Sequence, residues 1–94
     1  MISRSELAKL RRYARKQGIS SLAVFGSRAT GTDTVNSDLD LLVTFKKRKM
    51  GLIELIGIQY ELEDLMHMPV DLIERSALSP YLRERVLREM ITVV

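Results

Sequence analysis

The sequence contains no cysteine and no long apolar run. Without cysteine the chain can form neither a disulfide nor a thiolate metal site, and because it fits a reducing compartment we expect a cytoplasmic protein. A membrane-spanning helix needs roughly 20 consecutive apolar residues, and no stretch of this chain approaches that length. Residues 1–16 interleave Arg and Lys with apolar positions and lack the continuous apolar core of a signal peptide. We therefore expect a soluble protein with no membrane segment.

Aromatic residues are also scarce, since two Phe and three Tyr lie scattered along the chain. They provide no stacking platform of the kind that single-strand binding proteins use. The net charge is +3, and the basic residues cluster near the start and the middle of the chain: Arg4, Lys9, Arg11, Arg12, Arg15 and Lys16, then Lys46, Lys47, Arg48 and Lys49. Such clusters are more often a solvated helix face and a charged loop than a nucleic-acid surface. Nucleic-acid binding is therefore an alternative, which predicts salt-sensitive affinity.

The remaining composition is that of an ordinary globular protein, with 46% hydrophobic and 29% charged residues. A chain of 94 residues can bury on the order of 60–65% of its unfolded surface, which allows one modest core. No repeat, linker or low-complexity tract divides it. We expect a single domain over residues 1–94.

Local patterns predict an alternation of helices and strands. Ser3 and Glu6 form a capping box ahead of an apolar stripe, and Gly18 is placed to end that helix. Short apolar runs indicate strands and Pro80 can open a last helix. The predicted elements are helices over 3–17, 52–66 and 80–90 and strands over 19–25, 38–45 and 70–73, with a loop over 27–37 that has room for one helical turn, a connection over 46–51, and an edge strand or frayed end over 91–94. The order α-β-β-α-β-α favours a layered α/β domain.

Two carboxylates alternate at the start of the second predicted strand, in the segment Asp38-Leu39-Asp40. Alternate residues of a strand project from the same face, so Asp38 and Asp40 should lie together with Leu39 on the other side. Adjacent anions repel each other unless a cation compensates them. Mg²⁺ prefers hard oxygen ligands, and it commonly takes one or two protein carboxylates plus waters and substrate phosphates. The pair therefore predicts a magnesium site, the alternative being acids on an exposed strand edge.

Asp71 is the third candidate ligand, because it interrupts the apolar strand Val70-Asp71-Leu72-Ile73. In a central strand it would be buried or nearly so, and a buried carboxylate is unfavourable unless it is paired or metal-bound. If this strand lies beside the second strand, Asp71 completes a triad that supports two metal ions. It is then also the best candidate to accept the proton of an attacking hydroxyl. A solvated or hydrogen-bonded strand acid is the alternative.

The segment Gly26-Ser27 ends the first predicted strand ten residues before the acids. A glycine there lets backbone amides approach a phosphate closely, and a following helical turn directs free N–H groups at it. The Ser27 hydroxyl adds a donor, and Arg28 could clamp a phosphate oxygen. Ser37 directly precedes the first acid and is a further candidate for nucleotide binding, although capping a turn is its simpler role.

These residues resemble a known family. The string GSRATGTDTVNSDLDLLV is similar to the signature of the nucleotidyltransferases of the DNA polymerase β superfamily, and especially to the minimal nucleotidyltransferases of bacteria and archaea. The resemblance extends over residues 19–73. It implies a single-layer mixed β-sheet flanked by helices, two Mg²⁺ ions at Asp38, Asp40 and Asp71, and a nucleoside triphosphate bound by Gly26 and Ser27, with ATP as the nucleotide donor.

One position departs from that family pattern, since Thr30 stands where many relatives carry Arg before the second glycine. Triphosphate affinity would be lowered by that change. Proteins of this size in the family resemble antitoxins that are paired with a helical HEPN-domain toxin, some of which attach AMP to a tyrosine of that toxin. The resemblance therefore implies a protein adenylyltransferase with a HEPN partner, and a homodimer or hetero-oligomer is compatible with it. An antitoxin that neutralises its partner by binding alone is the rival hypothesis.

Overall fold

The computed structural model describes residues 1–46 and 50–94. Lys47, Arg48 and Lys49, three of the four residues in the basic cluster in the middle of the chain, lie outside the described residues. The helices are α1 (Arg4–Gln17), α2 (Ser27–Thr30), α3 (Leu52–Met66) and α4 (Pro80–Glu89), and the strands are β1 (Ile19–Phe25), β2 (Leu39–Phe45), β3 (Val70–Glu74) and β4 (Ile91–Thr92). A 3₁₀ turn at Arg75–Ala77 follows β3.

The four strands form one sheet in the order β3-β2-β1-β4. β2 runs parallel to β3, whereas β1 runs antiparallel to both β2 and β4. The predicted mixed sheet flanked by helices is thus confirmed. The sequence left two possibilities for residues 91–94, an edge strand or a frayed end. The structure shows the edge strand β4 there.

The two faces of the sheet carry different helices. One face packs against α1 and α3, with fully buried leucines from each layer: Leu10, Leu22, Leu39, Leu41 and Leu62. The other face holds a smaller cluster in which Ala23 and Leu42 meet Leu78 and Val86 of the α4 region. Consecutive residues of β2 therefore alternate between a large core and a smaller one. This alternation decides which face the acids occupy.

The helix ends follow the local signals that predicted them. The Ser3 hydroxyl accepts the Glu6 amide at 3.1 Å while Glu6 accepts the Ser3 amide at 3.0 Å, which is the capping box. Gly18 ends α1 in the left-handed conformation, with φ of +68°. His67 ends α3 with φ of +56° and donates its amide to Glu63 O at 2.8 Å. Among the described residues, no helix is long and apolar enough to cross a membrane.

Two expectations need correction. β2 begins at Leu39 rather than at Asp38, so Asp38 is an exposed residue just ahead of the strand. β3 is an edge strand and Asp71 is exposed on it, so the argument that a buried carboxylate there requires a metal does not apply. The strand is at the edge because β2 has β1 on its other side. Strand register, rather than burial, places Asp71 beside Asp40.

Candidate active site

The predicted site residues lie at one end of the strands, where the end of β1 is beside the starts of β2 and β3. Because β1 is antiparallel to β2 and β3 is parallel to it, the end of β1 lies beside the starts of β2 and β3. In that register Phe25 is opposite Asp40, and Asp40 is opposite Asp71. The glycine-serine turn that follows Phe25 therefore lies next to Asp40, and Asp71 lies one strand further along the sheet. Segments far apart in sequence are brought together by strand pairing alone.

Asp40 and Asp71 lie on the same face of the sheet. Leu39 and Leu41 on β2 are buried in the core against α1 and α3, so Asp40 between them must project toward the α4 side. On β3, Val70 and Leu72 belong to that same core, which places Asp71 on the α4 side as well. The two carboxylates are thus cross-strand neighbours, and like charges directly opposite each other destabilise a sheet.

The electrostatics of Asp40 reflect this crowding. Partial burial raises the pKa of its carboxyl above the ordinary value, and the neighbouring charges of Asp71 and Asp38 raise that pKa further. A bound dication would relieve the repulsion and favour the ionised form. The carboxylate oxygens are also the hard ligands that Mg²⁺ prefers. The donor set and its charge therefore fit a magnesium site.

The acids do not form a complete metal cage by themselves. Within residues 1–46 and 50–94, no three His, Cys, Asp or Glu side chains are grouped tightly enough to hold a metal. What strand pairing brings together is the Asp40–Asp71 pair, with Asp38 as a further charged neighbour. This arrangement suits Mg²⁺, which usually keeps several waters and takes substrate phosphates as ligands in addition to one or two carboxylates.

Gly26 makes the closest approach to these acids. Its backbone has φ of +73° and ψ of −155°, a region that is essentially restricted to glycine. A Cβ atom at this position would overlap Oδ2 of Asp40 and lie 3.1 Å from its Cγ. The Asp40 carboxylate therefore occupies the space that any other residue at position 26 would fill. The glycine is required both by its backbone conformation and by its neighbour.

The chain turns sharply after Gly26 into the single turn of α2. The amides of Ala29 and Thr30 donate to Gly26 O at 3.1 and 3.2 Å, and the Gly31 amide donates to Ser27 O at 2.9 Å. The amides of Ser27 and Arg28 precede the first of these helical bonds, as the leading amides of any helix do. Ser27 lines a cleft together with Gly26. The turn thus presents backbone and hydroxyl donors next to Gly26, the residue that lies against Asp40.

Arg28 and Ser37 are engaged in shaping the loop that joins β1 to β2. The Arg28 guanidinium donates to Ser37 O at 2.7 Å through Nη2 and pairs with Asp33 at 3.4 Å through Nη1. Ser37 Oγ accepts the Thr34 amide at 2.9 Å and so caps a turn. A hydrogen bond from the N-terminal amine, with a contribution from Arg28, holds the pKa of Asp33 below its ordinary value. In this arrangement Arg28 supports the loop that carries Asp38.

A hydrogen bond from α3 fixes the start of β3. Glu63 Oε2 accepts the backbone amide of Val70 at 2.9 Å, directly before Asp71. Leu39 donates its amide to Pro69 O at 2.9 Å, which pairs the starts of β2 and β3. Glu63 was not among the predicted site residues. No sequence signal marked it, because its partner is the backbone amide of Val70, the first residue of the following strand.

A cleft of about 270 Å³ opens between the glycine-serine turn and α4. Its lining combines Gly26, Ser27 and Thr30 from the turn with Arg85 and Glu89 from α4. Sequence reasoning missed the two α4 residues, since a charged residue on an exposed helix gives no sign of what it faces. The cleft supplies room for a small phosphorylated ligand beside the glycine-serine turn.

A larger cleft of about 470 Å³ lies at the opposite ends of β2 and β3, lined by Phe45, Lys46, Arg75 and Arg83 among others. Size alone would favour it as the functional site. The acid pair and the glycine-serine turn, which carry the predicted chemistry, are at the other end of the strands. We therefore assign the candidate active site by chemistry rather than by volume.

Comparisons with known proteins identify the family to which the chain belongs. Residues 7–93 match the family model described as a nucleotidyltransferase domain. The chain belongs to this family. Its membership confirms the enzyme class predicted from the sequence.

The nucleotidyltransferase domain has relatives among archaeal proteins. It is 34% identical over 79 residues to a candidate protein adenylyltransferase of Methanocaldococcus jannaschii, and the match covers 84% of each chain. It is 36% identical over 76 residues to the protein adenylyltransferase MntA of Thermococcus cleftensis, covering 81% of this chain and 76% of the relative.

Solved structures share the fold. A candidate minimal nucleotidyltransferase superposes with a TM-score of 0.75 at 38% identity, covering 93% of this chain and 87% of the other. The structure of a tri-AMPylated HEPN toxin of Shewanella oneidensis in complex with an MNT antitoxin contains a chain that superposes with a TM-score of 0.76 at 17% identity. That match covers 99% of this chain and 72% of the other. At this identity the match shows only that the two proteins share a fold.

Proposed function

We propose that this nucleotidyltransferase domain transfers AMP from ATP to a hydroxyl group of a partner protein. The observation that carries the proposal is the juxtaposition of the Asp40–Asp71 pair with the Gly26-Ser27 turn, where a Cβ at Gly26 would overlap Asp40. The naming of two relatives as adenylyltransferases supports AMP as the transferred group.

Each group of the site has a role in this reaction. Gly26 and Ser27 would hold the triphosphate tail through amide and hydroxyl donors. Asp38, Asp40 and Asp71 would hold two Mg²⁺ ions, which supply charge stabilisation at the phosphate oxygens and template the in-line displacement. By holding the ions in place, the carboxylates would also set where the α-phosphate binds relative to the incoming hydroxyl.

The transfer forms one bond and breaks one. The acceptor hydroxyl oxygen attacks the α-phosphorus, the bond from that phosphorus to the β-phosphate oxygen breaks, and pyrophosphate leaves. The hydroxyl proton passes to Asp71, which we assign to this step because it is exposed while Asp40 is partly buried against Gly26. An acceptor on another protein can reach an exposed edge-strand residue.

We propose a HEPN-domain toxin as the partner, with a tyrosine hydroxyl as the acceptor, so that AMP transfer makes this chain an antitoxin. The solved complex of an AMPylated HEPN toxin with an MNT antitoxin, whose fold this chain shares, supports that choice. A tyrosine phenol is a chemically suitable acceptor because it can lose its proton to a carboxylate while it attacks.

Transfer of label from ATP to the partner tests the catalytic proposal. Purified protein, Mg²⁺, ATP labelled at the α-phosphate and the co-expressed partner should give a labelled partner band. The double variant Asp38→Asn/Asp40→Asn should give none. Asp64→Asn is the matched control and should label as wild type does, because Asp64 is an exposed acid on α3, the helix that packs on the face of the sheet opposite to Asp40. Equal labelling by wild type and the double variant would refute the proposal.

Neutralisation by binding alone is the second candidate function. It is favoured by exposed apolar side chains on α3, where Leu52 is 72%, Ile53 86% and Tyr60 66% exposed, since such surfaces commonly contact other proteins. The double Asp variant separates the two functions. If it still protects cells from the partner, binding suffices; if protection is lost while the complex still forms, catalysis is required.

A further inference from the structure

We propose that Arg85 on α4 is the cation that binds the triphosphate tail of the nucleotide across the cleft from the glycine-serine turn. The inference deepens the proposed function and rests on it. It assigns a ligand-contacting role to a residue outside the Gly-Ser and Asp-x-Asp segments.

The site as formed by the turn and the acids lacks positive charge. Asp38, Asp40 and Asp71 are anionic, and a nucleoside triphosphate adds further negative charge that two Mg²⁺ ions offset only in part. The turn residues that line the cleft, Gly26, Ser27 and Thr30, are uncharged. Tight binding of a triphosphate therefore requires a cationic side chain from another element.

Arg28 is near the turn but is committed elsewhere. Its side chain is only 11% exposed, and it bonds to Ser37 O through both Nε and Nη2, at 3.3 and 2.7 Å. Its remaining nitrogen pairs with Asp33. Moving Arg28 to a phosphate would break these bonds and release the loop that positions Asp38. It therefore contributes to the shape of the site rather than to ligand contact.

Arg85 has the opposite properties. Among the described residues that line the cleft it is the single cation, and its side chain is 70% exposed. Its partner is Glu89 on the same helix, with Nε and Oε1 3.5 Å apart. Exposed ion pairs of this i,i+4 type are weak, so either side chain can readily bind a stronger partner instead. A phosphate offers that partner, since a guanidinium binds phosphate oxygens in a bidentate fork.

Glu89 is the ion-pair partner of Arg85 in the free protein. It lines the same cleft and is 35% exposed, so it can be solvated once the guanidinium turns to a phosphate. The exchange predicts a preference among nucleotides. Arg85 should add affinity for ATP, whose β- and γ-phosphates extend along the turn, and little for AMP, which lacks them.

The test is equilibrium binding of ATP and AMP, each with Mg²⁺, to Arg85→Gln by isothermal titration calorimetry. We expect ATP to bind about 10–100-fold more weakly than to wild type, the usual effect of losing a charge-assisted contact, with AMP affinity unchanged. Arg83→Gln is the matched control, because Arg83 is on the same helix but lines the cleft at the opposite end of the strands. It should bind ATP as wild type does.

A second variant tests the shared cleft directly. Thr30→Arg introduced into Arg85→Gln places a cation on the opposite wall of the same cleft and should restore both ATP affinity and the preference for ATP over AMP. Unchanged ATP affinity in Arg85→Gln, in a wild-type protein that binds ATP, would overturn the role of Arg85 and leave the proposed function standing. Failure of wild type to bind ATP at all would overturn both.

Discussion

Replacement of Gly26 by alanine should impair the active site much more than it destabilises the fold. The backbone at this position has φ of +73° and ψ of −155°, and holding alanine there costs about 1–3 kcal/mol of strain. For a domain of this size that lowers Tm by roughly 4–8 °C per kcal/mol. The new Cβ would also overlap Oδ2 of Asp40 and contact its Cγ at 3.1 Å and its Cβ at 3.4 Å.

The three nearest atoms that the new methyl group meets all belong to the Asp40 side chain. The overlap is therefore relieved by rotating Asp40 away from its position beside Asp71, and the domain can stay folded while its acid pair is displaced. A displacement of about 1 Å at a reacting centre can lower the rate on the order of 100-fold. We expect Gly26→Ala to show a moderate loss of Tm in circular dichroism and a loss of AMP transfer of at least that size.

Gly18→Ala provides the control for backbone strain. Gly18 also has a positive φ of +68°, yet nothing lies within 4 Å of a Cβ placed there. It should lose about 1–2 kcal/mol of stability and keep wild-type transfer at temperatures where it is folded. Transfer by Gly26→Ala within a few-fold of Gly18→Ala would refute the claim that Asp40 must occupy the space over Gly26.

The remaining predictions concern stability and metal. Since the pKa of Asp40 is raised on folding, the folded state binds more protons than the unfolded state, so this group's contribution to stability falls as pH rises above the ordinary aspartate range. Asp40→Asn should remove that fall and raise unfolding stability at pH 7 by roughly 0.2–1 kcal/mol, as expected for relief of a like-charge cross-strand pair; a lower Tm for the variant would contradict this. Mg²⁺ should raise the Tm of wild type but not of the variant, because ligand binding stabilises only a state that contains the site. Leu39→Ala, which truncates a fully buried side chain between the two acids, should cost about 2–5 kcal/mol in urea unfolding, and a loss below 1 kcal/mol would show that its core is not packed as described. Glu63→Ala frees the Val70 amide and should lower AMP transfer more than Glu61→Ala, whose carboxylate meets Tyr13 instead.

The parts of the fold that depend on residues close together in the sequence could be predicted. The capping box at Ser3 and Glu6, the stop at Gly18 and the first position of Pro80 each act within one turn of helix, and the helices begin and end there. The spacing from Gly26 to Asp40 also predicted which segments form the site. Strand register then confirmed their proximity, with Asp40 opposite both Phe25 and Asp71.

What the sequence could not provide depends on tertiary neighbours. Asp71 is exposed because β3 lies at the edge of the sheet. No local sequence pattern predicts the order of strands in a sheet. The engagement of Arg28 by Ser37 and Asp33 depends on how the loop folds back. The presence of Arg85 in the cleft depends on where α4 packs, after a turn and a change of face. Each of these is a long-range consequence of packing.

The central claim is that carboxylates of β2 and β3 hold divalent metal opposite the turn that binds the triphosphate. The most direct measurement is the anomalous diffraction of crystals grown with Mn²⁺ in place of Mg²⁺ and a non-hydrolysable ATP analogue. The account predicts anomalous peaks between the carboxylates of Asp38, Asp40 and Asp71 and the phosphates, with the tail of the analogue against Gly26 and Ser27. A nucleotide bound in the cleft lined by Lys46, Arg75 and Arg83, with no metal at the acid pair, would contradict it.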